Sequence, residues 1–420
     1  MKQIMCRMLA CILIYLLQRP IVFASSGVEI DSIQALRTLF REMTPAVGEN
    51  DYLSEPVAEG DFQAGELSKE TLARALGEVN FLRALAGLDA VTMSDELNSL
   101  CQHGAVLLAA NGELSHVPDR PEGMDEAFYA LGRDAAAQSN LARFNWTGSD
   151  LLREAALSFA RDEGERNEGV LGHRRWLLCP QMGRTGFGLA CDASGRTYAL
   201  MYAVDDSVQA DYDLVAWPGE GYFPAEYLTK DTWWSISPNP DRYDLQNSRV
   251  TISLEEVNSG ARFEFDFAAG EGGCTVAGGR YGDGPAYAFR PALSEYEAVA
   301  GGYEQNQVWR VTLRGLIDAA GNEVEREYAV TMASLTPIDP AMVEFDLDEL
   351  TVCVGASCRV EARVVPAWAD DTSLRWSVED ESIASVDERG QVTGLRPGRT
   401  RLTARAVNGR EESVPVRVTR

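Results

Sequence analysis

The chain has 420 residues, 45% of them apolar and 24% charged, and carries a formal charge of −26. That length exceeds one ordinary core, so two to four domains are expected. The negative field repels phosphate backbones and anionic membrane surfaces, which excludes nucleic acid as a natural partner and fits solubility outside the cell.

In chain order, MKQIMCRMLACILIYLLQRPIVFASS opens with Lys2 and Arg7, continues through an unbroken apolar run, Met8 to Leu17, and ends on a small residue before two serines. This is the pattern of a cleaved secretory signal over 1–24, and the run is too short for a good membrane span. The expected mature chain is extracellular, released or held at the cell surface, without a transmembrane segment. Residues 25–65 read as one helix, with Ile33, Leu36, Leu39 and Phe40 on one face, followed by a Pro-, Gly- and acid-rich linker from 44. Residues 66–208 are helical, then strand-like. Ser68 precedes Leu72, Leu76, Val79 and Leu82 at helical spacing; a second helix starts near Ser94-Asp95 and ends at Asn111-Gly112; a third starts at Ser149 or Asp150 and ends at Gly164. TGFGLACD and GRTYALMYAVD then alternate as a hairpin. Residues 209–336 lose the helical period and read as a β-rich domain, a probable sandwich, and 337–420 fit a second sandwich of about seven short strands with Trp376 as its core aromatic.

Six cysteines follow the signal, which holds Cys6 and Cys11. In an exported chain an even number permits disulfides. Cys179 and Cys191 flank a segment able to fold back, and Cys353 and Cys358 flank a tight return, so two local bridges are expected. No Cys-x-x-Cys pair points to a cysteine metal site.

Three histidines are present, His103, His116 and His173. His116 and His173 each sit just past a helix, on loops, where functional residues concentrate. Two neutral imidazoles from separate loops can share one cation, and the acids nearest in sequence are Glu113, Glu154, Asp162, Glu163, Glu165 and Glu168. The plainer role for each histidine is a hydrogen-bonded residue that fixes a loop.

ALGEVNFLRALAGLDAVTMSDELNSLCQHGAVLLAANGELSH, with its Asn80-x-x-Arg83 helix, and GHRRWLLCPQMGRTGFG over His173 resemble the two histidine segments of the CAP domain of cysteine-rich secretory and pathogenesis-related proteins, in its bacterial form. The resemblance covers 72–188. It implies an α-β-α sandwich with a central cleft lined by His116 and His173, and a divalent cation, zinc or magnesium, held with acids. Where the family often has Gly-Glu-Asn-Leu, this chain has Gln138-Ser139-Asn140-Leu141, so Ser139 replaces an acid; Asp162 or Glu154 is the expected substitute. The cleft expected from the resemblance comprises His116, His173, Ser139, Asn140 and Arg174. Gly172 would let the turn approach that cleft, and Arg174 and Arg175 would pair with acids or meet an anionic ligand.

Residues 209–336 resemble the β-rich region that follows CAP domains in some clostridial secreted proteins. There Trp217, Tyr222, Phe223, Trp233 and Trp234 form either a sandwich core, the preferred reading, or a platform for sugar rings. Leu374-Arg375-Trp376-Ser377, Ile383 to Asp387 and Gly390 to Gly394 are similar to the bacterial Ig-like domain of group 2. The implied fold class is α+β: a CAP-type α-β-α sandwich followed by two all-β, Ig-like sandwich domains. Three functions follow as expectations. The first is a secreted protein binding a small molecule, lipid or peptide in a histidine-lined cleft, with β domains that associate with a surface, a cell-wall polymer or a host glycan. The second is a metal-dependent hydrolase using His116 and His173. The third is an adhesive surface protein with the CAP domain as scaffold.

Overall fold

The computed structural model describes residues 30–45, 50–164, 167, 169–270, 273–279, 281–282, 284–293, 303–367 and 369–420. The segment read as a signal, 1–24, lies outside the described residues. The chain divides into two compact units, one ending at Ala333 and one running from Ser334 to Arg420.

The first unit begins with α1 (Ile33–Met43), whose Ser32 hydroxyl accepts from the amide of Ala35. Phe40 packs edge-on against Phe81, ring centroids 5.2 Å apart. The segment expected as a linker is instead fastened to the core. β1 (Tyr52–Ser54) pairs with β2 (Glu66–Leu67), the Tyr52 hydroxyl donates to the Leu189 carbonyl at 3.3 Å, and Gln102 Nε2 donates to the Ala64 carbonyl at 2.8 Å. Gly65, at φ 66°, lies close against the backbone of Ser54 to Pro56, while the Gly60 turn faces solvent.

α2 (Lys69–Leu85) and α3 (Asp95–Asn111) start at Ser68 and Ser94, and each serine hydroxyl accepts a first-turn amide. α3 stops at Gly112, whose φ of 67° is the left-handed stop that glycine supplies. α4 (Glu126–Gln138), capped by Asp125, has no counterpart in the sequence reading. Its inner face is made of Gly132, Ala135 and Ala136, and a methyl group on Gly104 of α3 would overlap Ala135 and Leu200. The two helices therefore approach closely because their contact residues are small. α5 (Leu151–Arg161) and the short α6 (Gly172–Leu177) complete the helices. β3 (Thr92–Met93) pairs in parallel with β5 (Arg184–Thr185). The central sheet is antiparallel, β4 (Ser139–Phe144) and β6 (Phe187–Cys191) flanking β7 (Thr197–Tyr202). α3 and α4 cover one face and α2 and α5 the other, giving the α-β-α layering.

The β6–β7 turn is held by one carboxylate. Asp192 accepts from the Ser194 amide and hydroxyl and from the Arg196 amide and Nε. Burial alone would raise its pKa, but the bonds from Ser194 and Arg196 win and hold it well below the usual carboxylate range. A depressed folded pKa adds stability that is present above the unfolded value and lost as pH falls through the folded one. Asp192→Asn is accordingly expected to cost about 1–3 kcal/mol at neutral pH. Its gap to the parent should close in strong acid, as read by denaturant unfolding across pH.

After β7 the chain builds two facing sheets. One has the order β13 (Cys274–Ala277), β14 (Ala286–Phe289), β10 (Trp234–Pro238), β8 (Leu214–Trp217); the other β12 (Arg262–Asp266), β11 (Thr251–Glu256), β15 (Val308–Ile317), β16 (Glu323–Ala333), β9 (Gly221–Pro224). Trp234 of the first meets Trp309 of the second at 6.0 Å, and Phe289 meets Phe265 at 5.0 Å. Trp217, Phe223 and Trp234 are buried in the sandwich core, while Tyr222 and Trp233 are half-buried.

The second unit is all β. β17 (Met342–Phe345) pairs with β20 (Ala362–Val365). β18 (Leu350–Cys353), β25 (Glu411–Thr419), β24 (Gly398–Ala406) and β21 (Leu374–Val378) form one sheet, and β19 (Ser357–Arg359), β23 (Gln391–Gly394) and β22 (Ala384–Val386) another. Trp376 is only partly buried; it packs across both apolar clusters and edge-on to Phe345. Neither expected disulfide forms. Cys353 lies opposite Thr419 in one sheet while Cys358 lies opposite Val392 in another. Cys179 follows α6 and donates to the Gln181 side chain, whereas Cys191 ends β6 beside Thr197.

Candidate functional site

The two histidines flank the junction of α4 and β4. His116, on the loop after α3, sets Nδ1 2.7 Å from the carbonyl of Ala136 in the last turn of α4. Asn140, two residues into β4, donates from Nδ2 to the carbonyl of His173 at 2.9 Å. His173 is not on a loop: it is the second residue of α6. Its Nδ1 lies 2.8 Å from Oδ1 of Asp162, and its ring stacks on Phe159 at 5.4 Å.

A carbonyl oxygen only accepts, so His116 Nδ1 carries the proton when the ring is neutral. Asp162 imposes the same tautomer on His173. Its other oxygen accepts the Arg174 amide at 3.2 Å, and its backbone closes α5 in the left-handed region at φ 51°. Nδ1 is thus occupied in both imidazoles, and among the described residues neither Nε2 has a hydrogen-bond partner. This carboxylate–histidine arrangement fixes the orientation of the His173 ring.

The other expected cleft residues lie elsewhere. Ser139 is buried, with its hydroxyl 3.7 Å from the Cys101 sulfur. Glu154 is half exposed on α5, and its ion-pair partner is Arg153 at 3.7 Å. Glu163 accepts from the hydroxyls of Thr229 and Thr232, Asn167 donates to the Glu163 carbonyl, and Glu165 and Glu168 lie outside the described residues. His103 bonds to the Ser99 carbonyl and packs at a tilt against Phe128. Among the described residues no group of three or more His, Cys, Asp or Glu could hold a metal ion. Two imidazoles fall short of the three protein ligands of an open zinc site, and Asp162 is already committed to His173 and Arg174. Among the described residues the donor set does not fit a resident cation.

The residues after His173 do something the sequence did not disclose. Arg174 is buried, and its guanidinium meets the carbonyls of Ala160 and Arg161 at the end of α5 and, at 2.7 Å, of Trp233 beside β10. It also lies over the Trp217 ring. Arg175 donates to the carbonyls of Val170, Gly278, Gly279 and Gly284 and lies over Tyr281 at 5.3 Å. Among the described residues neither arginine forms the expected ion pair with an acid. Carbonyls hold them because desolvation, which pushes Arg174 down to about 10, is offset by several aligned acceptors. Gly172 has a matching reason: a methyl there would sit 3.1 Å from the Tyr281 ring. The glycine makes room for the β-rich region, not for the cleft. Asn80 and Arg83 are likewise structural. Asn80 exchanges two bonds with Val91, and Arg83 binds the carbonyls of Asp89, Leu177, Cys179 and Met182.

Residues 76–204 match the family model of the cysteine-rich secretory protein family, CAP. The chain carries a CAP domain. Residues 340–417 match the bacterial Ig-like domain, group 2, so the CAP domain shares its chain with an Ig-like module. The curated relatives match over short stretches only. Lacto-N-biosidase of Bifidobacterium bifidum is 34% identical over 70 residues, 17% of this chain and 6% of that protein. The 3-O-alpha-D-galactosyl-alpha-L-arabinofuranosidase of Bifidobacterium longum subsp. longum is 36% identical over 66 residues, 16% and 6%. The chain thus spans about 6% of the length of these relatives. Among solved structures, a bacterial Ig-like domain containing GH10 xylanase from termite gut is 27% identical over 17% of this chain and 18% of that one, TM-score 0.14. Domains 4 and 5 of the S-layer protein SbsC are 14% identical over 30% and 73%, TM-score 0.19. No helix among the described residues is long and apolar enough to cross a membrane.

Proposed function

We propose that this is an exported CAP-domain protein that binds a small molecule, lipid or peptide through the Nε2 atoms of His116 and His173, with the Ig-like unit as a surface spacer. The observation that carries this reading is the matched pair of imidazoles, each fixed at Nδ1 by a buried acceptor and left, among the described residues, with no partner at Nε2. A ring nitrogen fixed in place suits recognition of a ligand hydroxyl or amide. The hydrolase reading lacks support, because the carboxylate beside His173 is already bonded on both oxygens and, among the described residues, no further acid completes a metal-holding group.

Native mass spectrometry of the full chain against a fatty acid, a sterol and a short peptide tests this. One class should be retained at micromolar affinity and released at least about tenfold more readily by His116→Ala/His173→Ala, since one good polar contact pair is worth roughly 1.4 kcal/mol or more. Equal retention by both proteins overturns the reading. Zinc titrated calorimetrically into the full chain should give no micromolar site. Such a site, if lost in the double variant, would restore the metal-dependent alternative.

Asp162→Asn separates positioning from binding. Asparagine can present its amide group to Nδ1 and flip the tautomer, so the fold should persist while nitrogen-15 spectra show His173 with its proton moved to Nε2. Ligand retention should fall with it; an unchanged tautomer would show that Asp162 does not set the ring.

A further inference from the structure

A cavity of about 20 Å³ lies where α6 meets the β-rich region, lined by Arg174, Arg175, Tyr212, Ser235, Ser237 and Gly284. It belongs to neither histidine. Its size admits one atom-sized guest, since a water needs roughly 10–15 Å³. Arg175 is 6% exposed, and its Nε is buried without a hydrogen-bond partner although every other recorded bond of its guanidinium ends on a carbonyl. The Ser235 hydroxyl accepts from Arg174 at 3.2 Å, which leaves its own hydrogen to give. The Ser237 hydroxyl has no partner among the described residues. No carboxylate lines the cavity among the described residues.

Charge points the same way. Two buried guanidiniums rest on neutral carbonyls, and the buried acid acting on both, Asp162, is bonded to His173 and to the Arg174 amide. A buried polar group without a partner is costly, and a buried surplus charge more so. A water in this space would meet several donors at once, whereas an anion accepts from all of them. We propose that the cavity binds a small monatomic anion, chloride in class, which completes the junction between the CAP domain and the β-rich region.

Thermal unfolding of the full chain in sodium chloride and in sodium gluconate at equal ionic strength tests this, because gluconate is too large to enter. The first unit should melt about 2–4 °C higher in chloride, as expected when an ion binds only the folded state. Ser237→Val, which fills the space, and Ser237→Ala, which removes one donor, should each shrink that difference. Crystals grown in sodium bromide should show an anomalous bromine peak within hydrogen-bonding distance of Arg175 Nε. Equal melting of the parent in both salts, or an ordered water in place of the peak, overturns the proposal.

Discussion

Arg174→Ala is expected to destabilise the first unit by about 3–5 kcal/mol, the range for removing a fully buried, multiply bonded side chain. The loss has two parts. The carbonyls of Ala160, Arg161 and Trp233 lose their donor in a place water enters poorly. The volume under Trp217 is vacated as well. Arg174→Lys should recover little, because an ammonium cannot span carbonyls of α5 and of the β-rich region with one planar fork. Urea unfolding followed by tryptophan fluorescence reads this directly, with the Ig-like unit as internal control. A cost under about 1 kcal/mol would mean the clamp is not engaged in solution.

The second large effect lies at the other end of α5. Glu78 of α2 is fully buried, with one oxygen 2.8 Å from Arg153 Nε of α5 and the other accepting from the Tyr227 hydroxyl at 2.6 Å. Arg153 also reaches Asp150 at 3.6 Å, and Asp150 holds Arg74 by two bonds. Burial pushes Glu78 upward while the Arg153 charge opposes it, so the ion pair here repays desolvation rather than adding a large surplus. Glu78→Leu alone should therefore cost about 3–5 kcal/mol by stranding Arg153. Glu78→Leu/Arg153→Met should recover most of that loss, giving a coupling of about 1–3 kcal/mol in a double-mutant cycle. Additive costs would place the stabilisation in packing instead of charge.

Much of the first unit was legible where local chemistry decides it. Ser68 and Ser94 announce helix starts, Gly112 a stop, and the alternation on either side of Asp192 to Gly195 a hairpin; all appear as read. The Ig-like strands were equally plain, since their turn residues recur at short intervals. α4 was hidden because its buried face is Gly132, Ala135 and Ala136, which carry no apolar signal although they allow the closest helix contact in the layer. At the site, the order of the histidines along the chain was readable, but the tautomers were not, because Ala136 and Asp162 act through space. The arginines misled for a related reason. Charge composition suggests acids as partners, while burial selects aligned carbonyls, which no side-chain pattern reveals. An Arg-Arg pair beside a glycine and a tryptophan, with no acid at helical spacing, was the one available hint.

His173 is one residue from Arg174, and Arg174 is gripped by the strand that begins at Trp234. The CAP domain and the β-rich region are therefore a single cassette for recombination. A crossover between β7 and β8 would take from the Gly-His-Arg-Arg-Trp box the carbonyls of Trp233, Gly278, Gly279 and Gly284, whereas one near residue 334 falls between compact units. Chains that carry this box should inherit a β-rich neighbour with it, while the Ig-like module is free to be gained, lost or multiplied.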